Sequence, residues 1–169
     1  NQDGLSTQGF TQTDATTIQT TNNTAGAIAI TVNTAGTLVG VGGGAVVSTI
    51  TDSGGSSGLV ITTNNGTNDS AGNITRTATS VLTAGTISLT TGAGTIGTAA
   101  GASAIALAAG QAGVTATTYN GAVWLTDTGA LTLGAISTGG GALDVASTAA
   151  GLLTAGGTIL TANGNVYLS

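Results

Sequence analysis

The feature that most constrains this chain is a recurring pentapeptide: a small residue, usually Gly, followed by x-Φ-x-Φ, where Φ is aliphatic. Side chains alternate across a β-strand, so both Φ residues lie on one face and both x residues on the other. The leading Gly suits a tight corner because it adopts positive φ without steric cost. The pattern occurs at Gly26–Ile30, Gly85–Leu89, Ser103–Leu107, Gly121–Leu125, Gly129–Leu133, Gly141–Val145 and Gly164–Leu168.

The spacing of these copies predicts the architecture. The best copies begin at Gly85, Ser103, Gly121, Gly141 and Gly164, so the motif recurs with a period near twenty. Such a period with two or three short strands is what a parallel β-solenoid needs, because each turn of chain then forms one rung. We therefore predict an all-β fold, a parallel β-solenoid (β-helix) of roughly 18–23 residues per rung.

An antiparallel β-sandwich is the alternative fold, since short strands with turn signals about every 8–12 residues also suit it. A sandwich needs no register between copies, and the aligned copies therefore favour the solenoid. Helical repeats are excluded because Gly and Thr this dense lower helix propensity without a compensating helical periodicity. The absence of Pro and the regular clustering of Val, Ile and Leu oppose disorder.

The repeat divides the chain into two parts. Residues 1–24 are mostly polar and fit no rung, which predicts a cap, a linker or a strand exchanged with a neighbour. Residues 25–169 are predicted to form the solenoid, with the most regular rungs over 84–169.

Charge excludes two classes of partner. Only 4% of the residues are charged, the net charge is −5, and Arg76 is the single cation. Nucleic-acid binding is not expected, because no basic patch exists to release counterions from phosphates. Membrane insertion is not expected either: Gly and Thr interrupt the uncharged stretch from Arg76 to Asp127, so no apolar span of about 20 residues forms.

The residue inventory argues against catalysis. The chain has no His, Lys, Glu or Cys, and its six Asp are widely spaced. Acid–base catalysis needs clustered titratable groups, so we expect no enzyme, no cofactor and no metal site. Asp127 and Asp144 are separated by nearly one period and could occupy adjacent turns, but two solvated strand-edge carboxylates are the simpler interpretation. The Asx-rich stretch 64–69 is interpreted as a turn rather than a calcium loop.

The aromatic residues give the one candidate site. Trp124 and Tyr167 both occupy the x position between two Φ residues, which faces outward, and Asp144 occupies it in the intervening copy. In the predicted register these three side chains form one outward column on successive rungs. Exposed aromatic rings beside a polar group suit stacking on sugars or anchoring at a protein interface, so Trp124, Asp144 and Tyr167 are predicted as a binding or interface face.

Segments 84–97, 129–145 and 154–169 resemble the strand repeats of bacterial surface proteins of the filamentous-haemagglutinin and autotransporter-passenger type. The resemblance is good over residues 84–169 and loose over 25–76. It implies a right-handed parallel β-helix, secretion, and roles in adhesion, surface layers or filaments.

Three functions follow as expectations. The first is a structural or adhesive module of a secreted or cell-surface bacterial protein, which associates with adjacent copies of itself into a fibre or filament. The second is a segment that binds glycans or host or cell-surface receptors through the aromatic face. Ice binding is the least favoured, because the Thr-x-Thr pairs at Thr75/Thr77, Thr115/Thr117 and Thr126/Thr128 do not recur at one fixed place per rung.

Overall fold

The computed structural model describes residues 9–32, 44–54, 58–63, 72–108, 111, 113–148 and 151–169. The Asx-rich stretch 64–69, interpreted above as a turn, lies outside the described residues. The described chain is all-β, with a single 3-10 turn at Gly101–Ser103. The strands are β1 Phe10–Thr11, β2 Thr17–Thr20, β3 Ile28–Val32, β4 Ala45–Val47, β5 Thr49–Asp52, β6 Gly58–Thr63, β7 Ile74–Arg76, β8 Leu82–Thr83, β9 Thr86–Thr90, β10 Ile105–Leu107, β11 Val114–Thr117, β12 Val123–Asp127, β13 Leu131–Ser137, β14 Leu143–Ser147, β15 Leu153–Ala155, β16 Ile159–Leu160 and β17 Val166–Leu168.

These strands form three parallel sheets. The first sheet has the order β1-β4-β7, the second β2-β5-β8-β10-β12-β14-β17, and the third β3-β6-β9-β11-β13-β15, with β16 also paired to β13. Within each sheet the strands follow chain order: the chain visits the three sheets in turn up to β7 and alternates between the second and third sheets from β8 to β17. Every strand pairing between described residues is parallel. The alternative prediction, an antiparallel β-sandwich, is therefore wrong.

The first and second sheets are joined at Ile96. Single parallel bridges link Ile96 to Ile74 of β7 on one side and to Val123 of β12 on the other. Through these bridges the strands β1, β4 and β7 lie in one line with β12, β14 and β17.

The length of the repeat agrees with the predicted period only towards the C-terminus. There Val123 pairs with Leu143, and Leu143 with Val166, and both intervals fall within the predicted range. Near the N-terminus Ile28 pairs with Leu59, an interval half as long again as that from Val123 to Leu143. Strand positions are maintained between turns of the chain while the connecting segments vary in length.

The first members of the predicted series belong to different sheets. Gly85 precedes β9 in the third sheet, whereas Ser103 precedes β10 in the second, so the two do not stack. Ile105 pairs with Leu125, two positions beyond the partner Val123 that the series predicted. The error arises because the same pentapeptide occurs in two sheets, and its spacing alone does not distinguish them.

The last members of the series do stack, and their contact explains why they are Gly. A Cβ atom added at Gly141 would lie 2.2 Å from the carbonyl oxygen of Gly121, and one added at Gly164 would lie 2.0 Å from that of Gly141. No side chain fits at such distances. The backbones of successive turns therefore approach each other through glycine at this corner.

The Φ residues of all three sheets, apart from those of β17, meet in one hydrophobic core. Ile87, Leu89, Leu125, Leu133 and Val145 are each at most 1% exposed. Burial of each such side chain stabilises the fold by about 1.5–3 kcal/mol relative to its exposure. The x residues face outward, as the alternation predicted.

A threonine closes the corner that leads into the stacked glycines. Thr91 and Thr161 each donate a side-chain hydroxyl to the carbonyl oxygen of the Gly three positions on, at 2.8 Å. Thr118 and Thr138 do the same towards Gly121 and Gly141. We call these four threonines the threonine corner. In all but Thr91 the sequence pattern is T-x-x-G-x-Φ-x-Φ, whose second half is the predicted pentapeptide.

Residues near the N-terminus also belong to the sheets, contrary to the prediction that residues 1–24 fit no rung. β1 and β2 pair in parallel with β4 and β5. Asp14 joins this region to the rest, because its carboxylate accepts hydrogen bonds from the hydroxyl of Thr79 at 2.8 Å and from the Thr79 N–H at 3.2 Å. Residues 1–8 lie outside the described part of the chain.

The threonine corner yields a matched pair of variants. Thr118→Val removes the hydroxyl of a residue that is 2% exposed, and with it the hydrogen bonds to the carbonyl oxygens of Gly121 and Thr138. We expect the free energy of unfolding to fall by about 1–3 kcal/mol. Thr117→Val changes the preceding, exposed residue in the same way and should stay within about 0.5 kcal/mol of the parent. Urea unfolding measures both, and equal losses would contradict a structural role for the corner.

Asp14 gives a prediction for pH. The nearby hydroxyl of Thr77, then the hydroxyl and N–H of Thr79, lower the pKa of Asp14 to about 2. An unfolded Asp titrates at about pH 3.9, and the stabilisation is therefore complete above that pH and is lost as the pH falls towards 2.

Asp14→Asn should accordingly lower the urea midpoint at pH 7 and have little effect at pH 2. Urea unfolding of both proteins at the two pH values measures this difference. A difference that persists unchanged at pH 2 would overturn this account.

Candidate functional site

The three predicted site residues lie in one column on the second sheet. Trp124 pairs with Asp144 between β12 and β14, and Asp144 pairs with Tyr167 between β14 and β17. The predicted register of these residues is therefore confirmed. Paired residues of neighbouring strands lie about 4.8 Å apart, so the three side chains project side by side from the same face. We call them the aromatic column.

Exposure rises along the aromatic column towards the C-terminus. Trp124 and Asp144 are half-buried, while Tyr167 is 54% exposed. The side-chain amide of Asn165 donates a hydrogen bond to the Tyr167 hydroxyl at 3.0 Å, which orients the ring. Gly97 lies next to Trp124, and a Cβ atom there would be 3.1 Å from the Trp124 Cβ. Two amphipathic rings with a carboxylate between them can stack on a flat ligand and accept its hydrogen bonds.

The two carboxylates that could have met on adjacent turns do not meet. Asp144 pairs with Trp124 and faces outward, whereas Asp127 pairs with Ser147 and is only 1% exposed. The interpretation of Asp127 as solvated is therefore wrong. Its Oδ1 accepts the N–H of Gly129 at 2.5 Å, so the carboxylate closes an Asx turn.

Asp52 closes a similar Asx turn earlier in the chain. Asp52 ends β5 as Asp127 ends β12, and its Oδ1 accepts the N–H of Gly54 at 3.3 Å. Both Asp begin the pattern D-[S/T]-G, where the chain leaves the second sheet for the third. Within the described ranges, no three His, Cys, Asp or Glu side chains cluster to hold a metal ion.

The C-terminal end of the sheets exposes residues that are buried everywhere else. Val166 and Leu168 pair with Leu143 and Val145, which are both 0% exposed, yet they are themselves 45% and 48% exposed. On the third sheet, Leu153 and Ile159 lie at the same end and are half-buried. We call Leu153, Ile159, Val166 and Leu168 the open C-terminal face.

The backbone is also unpaired at this end. Among the described residues, β17 pairs only with β14, and β15 and β16 pair only with β13, so each presents one free strand edge. At the opposite end β1, β2 and β3 are also paired on one side only among the described residues, but Ile28, Ile30 and Val32 of β3 are just 4–9% exposed. This difference in the exposure of apolar side chains could not be predicted from the sequence, because it depends on which strands pair and not on the residue types.

No helix in the described part of the chain is long and apolar enough to cross a membrane. No protein-family model, curated protein or solved structure matches the chain.

Proposed function

We propose that this chain is a structural module of a secreted or cell-surface bacterial protein. In this proposal its sheets wind as a right-handed parallel β-solenoid, and copies associate end to end into a fibre or filament. The proposal follows the resemblance to the strand repeats of bacterial surface proteins, which implies secretion and a role in surface layers or filaments. Adjacent copies of the same chain are the partner.

The strand order supports the solenoid. A chain that returns to each sheet one strand further along, always in parallel, advances in one direction as it winds. Connections between parallel strands of one sheet are right-handed in about 98% of cases, which favours the right-handed form.

The strand order carries the proposed stacking, because parallel strands added in chain order let a further rung pair with the last one. The inward residues of the open C-terminal face continue the buried columns of the core, and among the described residues its strands are paired on one side only. An exposed edge of this kind is a template for the addition of another strand. Because β1 lies in line with β17, a second copy whose β1 edge meets β17 would bury the apolar residues and satisfy the backbone in one step.

A charge placed in this face tests the assembly. Leu168→Lys puts an ammonium group in line with buried Val145, and a stacked copy would have to desolvate it without a partner. We expect the parent protein to form rods in negative-stain electron microscopy as its concentration rises. The variant should remain monomeric by light scattering.

Tyr167→Lys is the matched control for this experiment. Tyr167 is the neighbour of Leu168 in β17 and has a similar exposure, but it points outward rather than into the core. This variant should assemble as the parent does. Discrete parent monomers at high concentration, or equal effects of both lysines, would rule out end-to-end stacking.

A second candidate is a glycan- or receptor-binding segment that uses the aromatic column. The in-register pairing of Trp124, Asp144 and Tyr167 supports it, because it brings two rings and a carboxylate within reach of one ligand. Such aromatic groups are enriched where proteins bind partners.

Binding at the aromatic column can be separated from assembly. Trp124→Ala and Tyr167→Ala together should reduce binding to a glycan array or to host cells at least tenfold and leave rod formation intact. Thr126→Ala, on the same outward face of β12, is the control and should bind normally. Normal binding by the double variant would exclude the aromatic column as the site.

A further inference from the structure

The third sheet carries a regular outward column that the sequence does not reveal. Thr31 pairs with Thr62, Thr62 with Thr90, Thr90 with Thr117, and Thr117 with Ser137. Five successive strands therefore place a hydroxyl at the same position, with a step of about 4.8 Å. We call these five residues the hydroxyl ladder.

The ladder hydroxyls are free to bind a ligand. None of the five makes a side-chain hydrogen bond to another described residue, and each is exposed or half-buried. The residues that follow four of them behave in the opposite way, because they are at most 2% exposed and their hydroxyls donate to backbone carbonyls: Thr63, Thr91, Thr118 and Thr138. The protein thus uses the inward hydroxyls for its corners and leaves the outward ones to solvent.

The ladder ends beside a cleft that carries an exposed aromatic ring. The cleft has a volume of about 400 Å³ and is lined by Thr91, Thr117, Thr118, Tyr119, Ser137 and Gly139. Tyr119 is 49% exposed, and none of the described residues that line the cleft is charged. Thr117 and Ser137 belong to both features, so the ladder and the cleft form one continuous surface.

We propose that the hydroxyl ladder and the Tyr119 cleft bind a neutral, linear polysaccharide that lies across the strands. One strand step is close to the length of one pyranose residue in an extended β-linked chain, so each ladder hydroxyl meets an equivalent sugar. The Tyr119 ring stacks on one pyranose face, and the hydroxyls of Thr117 and Ser137 exchange hydrogen bonds with the sugar hydroxyls. The uncharged lining matches an uncharged ligand, because it offers no partner for a carboxylate or a sulfate.

The same column fits an ice surface less well. An ice plane is regular in two dimensions and needs a second matching column beside the first. Two positions earlier on the same strands the outward residues are Ala29, Val60, Ser88 and Thr115, which differ in size and polarity. The hydroxyl groups therefore repeat along one direction only, which matches a single extended polysaccharide chain.

Isothermal titration calorimetry with a hexasaccharide of β-1,4-linked glucose tests this site. The parent should bind it, and Tyr119→Ala should weaken the Kd at least tenfold. Tyr119→Phe keeps the ring and should retain most of the affinity. Thr117→Val keeps the β-branched shape, should unfold like the parent, and should weaken binding about three- to tenfold through one lost hydrogen bond.

Trp124→Ala is the control for location and should leave the Kd unchanged, since Trp124 lies on the second sheet. Each of four results would overturn the proposal: no binding by the parent at millimolar sugar, full affinity in Tyr119→Ala and Thr117→Val, loss only in Trp124→Ala, or thermal hysteresis that Thr117→Val abolishes. The last would assign the ladder to ice. Rod formation is measured separately, so failure at this site leaves end-to-end stacking unaffected.

Discussion

The architecture depends on close backbone contact at the corner between successive turns. Here Gly lies against Gly at distances that exclude any Cβ atom, and a Thr hydroxyl satisfies the carbonyl oxygen that the turn would otherwise leave without a donor. The glycine contact and the threonine hydrogen bond are both needed. Gly permits the close approach of the backbones but loses much conformational entropy on folding, and Thr supplies the hydrogen bond that stabilises the turn. With the corner fixed, the x-Φ-x-Φ segments of β12, β14 and β17 enter their strands in register.

Much of this was predictable from the residues. The alternation of the pentapeptide indicated the all-β class and the inward and outward faces, and the outward column of Trp124, Asp144 and Tyr167 was in the predicted register. The period was predicted well only where connections are short. Upstream, the long interval between Ile28 and its partner Leu59 escaped prediction, because no local pattern states how long a loop will be. Asp127 was misjudged because its burial depends on a turn that only the three-dimensional path creates.

The outward surface was the hardest part to predict. The hydroxyl ladder has no fixed spacing in sequence, since the interval from Thr31 to Thr62 is half as long again as that from Thr117 to Ser137, yet pairing aligns its members. The Thr-x-Thr pairs, by contrast, lie scattered over all three sheets. In the sequence, ladder members are marked only by a hydroxyl residue directly before the corner Thr, as in Thr90-Thr91 and Ser137-Thr138, a pattern that is recognised once the corner is known. One strand end thus encodes a scaffold residue and a surface residue side by side.

The uneven length of the connections has a consequence for how the chain folds. Closing a loop costs conformational entropy that grows with its length, so Val123 meets Leu143 more readily than Ile28 meets the more distant Leu59. Local contacts also favour fast folding. Nucleation is therefore expected around β12 and β14, with pairing then propagating towards the N-terminus, so that the chain is completed in the reverse of the order in which a ribosome makes it.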